Sequence, residues 1–351
     1  MNNNKLPIAS LTLSQLRAAL VAAGQRPFVA KQIFEAVYAR NVRSFDEMTN
    51  LSAALRRDLA ARYSLRTLEV AGKFDSPDGS FKLALRLADG QSIESAFLAT
   101  ADHGTVCVSS QVGCAMGCLF CASGEKGLVR NLAAFEMVEQ VLAARDHLPP
   151  GRRLSHVTFM GIGEPLANFD NLTRALDLIH TPEGLNIGAR RLSISTCGTP
   201  QGIRRLADLG RQYHLAISLH APNDALRRQL MPAAARTPIA EIMAAAEDYC
   251  RRTTRKIVFE YVLIRGLNDQ PAHARELAAL VGGFPSMVNL IPLNPVSACP
   301  NLEPSAPAAV ERFRAALEKS GVEVCVRRRK GAEVDAACGQ LRARLDADED
   351  E

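Results

Sequence analysis

Apolar positions recur at helical spacing through the first part of the chain. The run LSQLRAALVAA ends at Gly24, and the runs FVAKQIFEAVYAR and SAALRRDLAARY have the same spacing. Such spacing gathers the apolar side chains on one face of a helix, and a glycine commonly ends it. We therefore predict a small N-terminal helical accessory domain over residues 1–66.

The pattern changes after this domain. Between residues 67 and 105, short alternating runs of apolar and polar positions are separated by the turn sequences DSPDG and ADG. Alternation with a period of two is typical of strands, and these turns are typical of hairpins. We expect a linker that contains β-hairpin strands.

Strand-like and helix-like runs alternate through most of the remaining chain. The apolar runs TVCVSSQ, HVTFMGIG, RLSISTC, LAISLH, IVFEYVLI, VNLIPLN and VEVCVRR are separated by amphipathic segments such as FEMVEQVLAARDHL. This alternation is typical of βαβ units and a parallel sheet. It predicts an α/β fold with a full or partial (β/α)6 barrel over residues 106–330, whose active site would lie at the carboxyl ends of the strands.

Polar residues stand where several of these strands are expected to end. They are Gly163 with Glu164, Ser195, Ser218 with His220, and Asn294. Because the carboxyl ends of barrel strands meet at one face, we expect these side chains to lie close together.

Composition limits the class of protein. The chain has 351 residues and is 47% hydrophobic, which is ordinary for a globular protein. No apolar run approaches the roughly 20 residues that a membrane helix needs, and the first residues do not have the pattern of a secretory signal. We expect a cytoplasmic protein with no membrane partner.

The charge distribution favours a polyanionic partner. The net charge is +5, but five acids lie in the tail 345–351, which we predict to be disordered. The rest carries 42 Lys and Arg against 32 acids, a net charge of +10. RNA and DNA both fit such a surface.

Two groups of basic residues are candidates for phosphate contact. They are Lys31, Arg56, Arg57, Arg62 and Arg66 in the helical domain, and Arg327, Arg328, Arg329 and Lys330 near the carboxyl end. A solvated helix face explains the first group equally well.

Three of the nine cysteines form a compact motif. Cys114, Cys118 and Cys121 lie in CAMGCLFC, at spacings of four and three. Thiols so spaced in a cytosolic protein indicate metal binding, and one loop that carries three of them suits an iron–sulfur cluster with one iron left open. A structural zinc site is the alternative, although zinc prefers four protein ligands and no second pair of this type is present.

The motif resembles the hallmark of the radical S-adenosylmethionine superfamily, including an aromatic residue, Phe120, before the last cysteine. Four further segments resemble the RlmN/Cfr family of RNA adenine methyltransferases. They are VCVSSQVGCAMGC, FMGIGEPLANFDN, LAISLHAPNDALRRQLMP and DAACGQL. The similarity extends from the helical domain to Leu341, and SLHAPND and FDEMTNLS are closer to the RlmN branch.

The resemblance implies one 4Fe-4S cluster on the three cysteines and two molecules of S-adenosylmethionine per turnover. Gly163 and Glu164 would hold the amino group of this cofactor. The other implied contacts are Ser195, Ser218, Leu219, His220 and Asn294. The segment SISTCG departs from the family's usual sequence. It places Cys197, to which we assign no role, beside the implied cofactor contacts.

The resemblance also implies three catalytic residues. Cys338, in a C-terminal segment over residues 331–344, would accept a methyl group, and Cys107 would release the product by forming a disulfide with it. Glu94 would be the general base that removes the ring proton. By residue type alone, the two cysteines would be buried small hydrophobes and Glu94 a solvated carboxylate.

The implied function is formation of 2-methyladenine in 23S ribosomal RNA and in tRNA. The alternatives are Cfr-like methylation of C8 of the same ribosomal adenine, or a zinc-stabilised RNA-binding protein without catalysis. The expected partners are ribosomal RNA, tRNA and an external electron donor such as flavodoxin or ferredoxin, and we expect a monomer.

Overall fold

The computed structural model describes residues 5–100, 103–294, 300–327 and 339–341. Four of the residues predicted to be functional, Cys338, Arg328, Arg329 and Lys330, lie outside the described residues, as does the acidic tail 345–351.

The three predicted N-terminal helices are confirmed. They are α1 (Leu13–Ala22), α2 (Val29–Tyr38) and α3 (Ala53–Arg62). Two short parallel strands, β1 (Leu6–Pro7) and β2 (Tyr63–Ser64), join the two ends of this region. Thr12 caps α1 and Ser52 caps α3, because each hydroxyl accepts a hydrogen bond from a backbone N–H of the first turn.

The next part of the chain forms a sheet of ten strands and a separate hairpin. The sheet strands are β3 (Glu69–Asp75), β4 (Phe81–Arg86), β5 (Ser92–Ala99), β6 (Gly104–Cys107), β9 (Leu154–Phe159), β10 (Leu192–Thr196), β11 (His214–Ser218), β12 (Ile257–Leu263), β13 (Ser286–Pro292) and β14 (Val324–Val326), and the hairpin strands are β7 (Gln111–Gly113) and β8 (Leu128–Asn131). Seven sheet strands, β6 and β9 to β14, are parallel and coincide with the seven predicted apolar runs.

In the described part of the chain, seven α-helices accompany these strands. They are α4 (Ala134–Asp146), α5 (Phe169–His180), α6 (Pro200–Asp208), α7 (Asp224–Leu230), α8 (Ile239–Thr253), α9 (Pro271–Val281) and α10 (Pro307–Lys319). The predicted βαβ alternation and the α/β fold class are therefore confirmed. Among the described residues, no helix is both long and apolar enough to cross a bilayer.

The segment expected to be a linker belongs to the main sheet. Strand β5 pairs with β6 in antiparallel register, with Ala96 opposite Cys107, and β4 and β3 continue the sheet. Without these strands, the backbone N–H and C=O groups of β6 would form an open edge. The hairpin strands therefore extend the barrel wall.

Side chains alternate between two chemically different faces of the parallel strands. Ile194, Ile217 and Phe259 belong to the main apolar core, while Ser195, Ser218 and Glu260 face a cavity. Because successive strand residues point to opposite faces, one strand can support both surfaces. The cavity side is therefore available for polar chemistry.

A buried carboxylate joins the helical domain to the barrel. Glu139 of α4 accepts hydrogen bonds through Oε2 from Thr67 N at 2.6 Å, Thr67 Oγ1 at 3.0 Å and Leu68 N at 2.9 Å. Burial raises the pKa of Glu139, and these hydrogen bonds oppose that effect. The contact fixes the point at which the chain leaves the helical domain.

Candidate active site

The described residues include a cavity of about 910 Å³, counted with its open mouth, at the carboxyl ends of the strands. Its lining contains most of the predicted site residues: Cys114, Cys118, Cys121, Gly163, Glu164, Ser195, Ser218, His220 and Asn294. The position expected for a barrel active site is therefore occupied by the expected side chains.

The three cysteines lie on the loop that joins β7 to β8. Cys114 N donates to Gly127 O at 2.9 Å, and Cys121 N donates to Cys118 O at 3.1 Å. These bonds curl the loop so that all three residues line the cavity. No three His, Cys, Asp or Glu side chains in the described part converge closely enough to hold a single metal ion.

Burial controls the protonation of two of these thiols. It raises the pKa of Cys114 to about 11 and that of Cys121 to about 12. These two thiols are therefore protonated at neutral pH, and binding of a metal centre must displace their protons. Three thiolates from one loop are a donor set that suits an iron–sulfur cluster.

Glu164 presents a fixed carboxylate to the cavity. Its Oε1 accepts from Leu166 N at 3.1 Å, and its Oε2 accepts from Cys197 N at 2.7 Å. Burial raises the pKa of Glu164, and the hydrogen bonds from these backbone groups oppose that rise. Each oxygen retains acceptor capacity, so the group can bind an ammonium.

Gly163 permits the tight turn before this carboxylate. Its φ is +104°, and a Cβ at this position would lie 2.5 Å from the Cβ of Gln111. Only glycine fits both conditions without moving the backbone. Gln111 also accepts a hydrogen bond from Glu164 N through Oε1 at 2.8 Å.

The neighbouring strand ends supply hydroxyl groups and an imidazole. Ser195 Oγ and Ser218 Oγ are 3.5 Å apart. His220 has a φ of +57°, and its Nδ1 accepts from Val262 N at 3.0 Å. Burial, assisted by Arg227, lowers the pKa of His220 to about 3, so the ring is neutral at physiological pH.

Leu219 differs from the other predicted cofactor contacts. Its side chain is fully buried in the apolar core, and its N–H donates to Glu260 O at 3.1 Å. Residue alternation turns this side chain away from the face that carries Ser218. It does not belong to the cavity lining.

Cys107 and Glu94 are not part of the cavity lining. Cys107 is 8% exposed and packs with Ala96, Ile162 and Leu341. Glu94 is fully buried on β5, with its Oε1 3.0 Å from Lys82 Nζ. Glu94 is therefore a buried carboxylate in an ion pair. The expectation from residue type alone, that it would be a solvated carboxylate, is wrong.

The C-terminal segment reaches the cysteine loop. Gly339, which follows Cys338 in the chain, lines the cavity, and its carbonyl accepts from Ala122 N at 2.8 Å. Ser123 Oγ donates to Leu341 O at 3.0 Å. Leu341 also belongs to the buried apolar cluster that contains Cys107, so this segment connects the loop with that cluster.

Glu260 and Cys197 also line the cavity, although neither had a predicted role. Glu260, on β12 opposite Ser218, is buried, and Asn289 Nδ2 donates to its Oε2 at 2.7 Å. Cys197 shares a hydrogen bond with Cys118, which together with burial raises the pKa of Cys197. The strand alternation could have identified Glu260, whereas contact between Cys197 and Cys118 depends on folding.

The basic residues of the helical domain are mostly engaged within the protein. Lys31 pairs with Glu35 and Arg62 pairs with Asp58. Arg56 Nη1 donates to Asp46 O at 2.6 Å, and Arg66 Nη2 donates to Asn41 Oδ1 at 2.5 Å. Arg57 is exposed. The contact of this group of residues with phosphate stays a prediction.

Known proteins are similar to this chain over almost its whole length. Residues 108–278 match the radical SAM superfamily model, and residues 7–65 match the N-terminal domain model of a ribosomal RNA large subunit methyltransferase. A crystal structure of a radical SAM methyltransferase from Sphaerobacter thermophilus has a TM-score of 0.92 at 45% identity, covering 96% of this chain and 99% of that one.

Relatives named probable dual-specificity RNA methyltransferase RlmN give the same result. The one from Symbiobacterium thermophilum is 48% identical over 96% of this chain and 91% of its own length. The one from Desulforamulus reducens is 45% identical over 99% of this chain and 98% of its own length. The chain therefore belongs to the RlmN family of radical S-adenosylmethionine RNA methyltransferases.

Proposed function

We propose that this enzyme forms 2-methyladenine in 23S ribosomal RNA and in tRNA, with a methylated cysteine as the carrier of the methyl group. The names of the relatives support RNA as substrate and two classes of RNA as targets. Such substrates are consistent with the positive net charge outside the tail and with a cytoplasmic location. Enzymatic activity, which family membership implies, argues against the zinc-stabilised binding protein.

Superfamily membership implies a 4Fe-4S cluster and S-adenosylmethionine, and the described residues fit both. Cys114, Cys118 and Cys121 supply three sulfur donors to one cavity. When bound, the cluster supplies the electron that cleaves S-adenosylmethionine to a 5′-deoxyadenosyl radical. Glu164 would hold the ammonium of the cofactor through the acceptor capacity that its backbone hydrogen bonds leave free.

The roles of the chain's other residues follow from the need to methylate an electron-poor ring carbon. A methyl group held on the sulfur of Cys338 can give a hydrogen atom to the 5′-deoxyadenosyl radical and add to this carbon as a methylene radical. The adduct would then return the electron that cleavage of the cofactor consumed, and Glu94 would accept the ring proton. The thiolate of Cys107 would attack the sulfur of Cys338 to form a disulfide, and the carbon released from this sulfur would take up a proton to become the methyl group of the product. A reductant must restore both thiols after each turnover.

The observation that carries this proposal is the position of Leu341 and Gly339. Leu341 belongs to the same buried apolar cluster as Cys107, and Gly339 lines the cavity that holds the three cysteines. This position of residues 339–341, which follow Cys338 in the chain, supports a reaction that involves both the cavity and Cys107.

The test is anaerobic methylation in vitro with methyl-labelled S-adenosylmethionine, a chemical reductant and separate preparations of ribosomal RNA and tRNA. Mass spectrometry of the digested RNA should find labelled 2-methyladenosine in both. Labelled 8-methyladenosine in ribosomal RNA alone would favour the Cfr-like alternative, and no label would contradict both.

A further inference from the structure

Arg227 lies inside the protein directly behind the cysteine loop. Its side chain has no exposure to solvent, although it is on the short helix α7. Leu119 N, between Cys118 and Cys121, donates to Leu230 O at the end of this helix at 3.0 Å. The next residue, Met231, lines the cavity. Helix α7 therefore supports the loop and places Arg227 beneath it.

Uncharged groups hold the guanidinium of Arg227 in place. Its Nη1 donates to Ala234 O at 3.0 Å and to Thr237 O at 3.4 Å, and its Nη2 donates to Cys197 O. In the described residues, Nε has no hydrogen-bond partner. Carbonyl groups orient a cation but do not neutralise it, and a buried charge without a counter-charge is costly.

In the described part of the chain, the hydrogen bonds of Arg227 go to backbone carbonyl groups and none goes to a carboxylate. Asp224, one turn earlier on α7, accepts instead from Ile239 N at 2.9 Å. The charge of Arg227 therefore lacks the partner that buried arginines usually have.

The thiols near the cluster loop are the remaining candidates for a counter-charge. Burial lowers the pKa of Arg227. Its Nη2 donates to the carbonyl oxygen of Cys197, and the side chain of Cys197 in turn shares a hydrogen bond with Cys118. Cys118 and Cys197 also pack against one apolar cluster, which includes Leu230 and Met231. Once iron is bound, Cys118 is a permanent thiolate in this low-dielectric region.

We propose that Arg227 is the counter-charge of the iron–sulfur site and raises the reduction potential of the centre. A bound cluster with three thiolates is anionic and becomes more so when reduced, so a fixed cation behind it stabilises the reduced form more than the oxidised form. The net charge around a cluster is one of the main determinants of its potential. Arg227 is a positioning residue in this sense, because it acts on the cluster through the field that it imposes.

This inference rests on the cluster that superfamily membership implies. The experiment compares the full chain with Arg227→Gln and with Arg228→Gln, each loaded with iron and sulfide under anaerobic conditions. Arg228 is the next residue of the same helix and is exposed, so it is the matched control. The reduction potential is measured by titration with EPR detection of the reduced cluster.

We expect a more negative potential in Arg227→Gln, and wild-type values in Arg228→Gln and in Arg227→Lys, which keeps the charge. A wild-type potential in Arg227→Gln at full iron content would overturn the inference and leave the proposed function untouched. Absence of a four-iron centre from the wild-type protein would instead overturn the proposed function.

A second measurement uses the melting temperatures of the loaded and the cluster-free proteins. Because the charge is compensated only in the loaded state, Arg227→Gln should lower the melting temperature more in that state. An equal loss in both states would count against the inference. If Arg227→Gln does not fold, a negative shift of the potential in Arg227→Lys would overturn it.

Discussion

The ammonium of Lys82 lies 3.0 Å from the Oε1 atom of Glu94, and both side chains are almost completely buried. Lys82 is opposite Ala96 on β5, and Ala96 is in turn opposite Cys107 on β6. The ion pair is therefore built into the sheet next to a proposed catalytic thiol. An adjacent cation favours the ionised form of a carboxylate, which is the form that a general base needs.

Replacing Lys82 with Met leaves the carboxylate of Glu94 buried without this partner. We expect a loss of about 3–5 kcal/mol in the free energy of unfolding, since one partner of a buried pair is removed. Methylation activity should fall as well. Urea denaturation of Lys82→Met and of the double variant with Glu94→Gln tests this, because the double variant should recover part of the loss.

The matched control is Lys31→Met, since the side chain of Lys31 is 55% exposed and its partner Glu35 is 49% exposed. This change should alter the unfolding free energy by less than about 1 kcal/mol. Equal effects at the two lysines would contradict the structural role given to Lys82.

Glu164→Gln removes the negative charge that we propose binds the ammonium of S-adenosylmethionine. The amide is similar in shape, so the cysteine loop should still load iron. The dissociation constant for S-adenosylmethionine should rise about ten- to a hundredfold, the usual range for a lost hydrogen bond to a charged group. Equilibrium dialysis with the iron-loaded protein measures it, with the exposed Glu125→Gln as control.

The pH dependence of the same binding gives an independent check. Burial raises the pKa of Glu164, so this carboxylate becomes protonated at a higher pH than an exposed glutamate. The affinity for S-adenosylmethionine should therefore fall as the pH is lowered through the raised pKa of Glu164. The full affinity should return when the pH is above this pKa. The Gln variant should lack this dependence; an identical pH profile in both proteins would exclude Glu164 as the ammonium ligand.

Glu139→Ala should loosen the connection between the helical domain and the barrel. Three donors, on Thr67 and Leu68, lose the acceptor that they share. We expect the free energy of unfolding to fall by at least about 2 kcal/mol, because buried donors are left unsatisfied. Chemical denaturation measures this loss, with Glu35→Ala on an exposed helix face as control; no difference between the two would show that the contact does not stabilise the protein.

Local patterns were sufficient to predict the strands and the polar residues at their ends. The alternation in LAISLH and IVFEYVLI places Ser218 and Glu260 on one face, and the structure pairs these residues across adjacent strands. Parallel strands end at the same side of a sheet, so the gathering of Ser195, Ser218 and His220 followed from the strand prediction alone.

Contacts between distant segments could not be predicted in this way. The strands that carry Lys82 and Glu94 looked like a separate linker because nothing in their own sequence specifies pairing with β6. The burial of Arg227 on α7 likewise depends on carbonyl groups from other loops. Residues that act through such neighbours are visible only after folding.

The most direct test of the account uses Cys107→Ala, the variant that lacks the proposed releasing thiol. The full-length protein is incubated anaerobically with labelled S-adenosylmethionine and RNA, then digested with protease and nuclease and analysed by mass spectrometry. The account predicts an accumulating adduct in which a methylene group joins Cys338 to C2 of adenine. Full turnover by this variant with no adduct on Cys338 would contradict it.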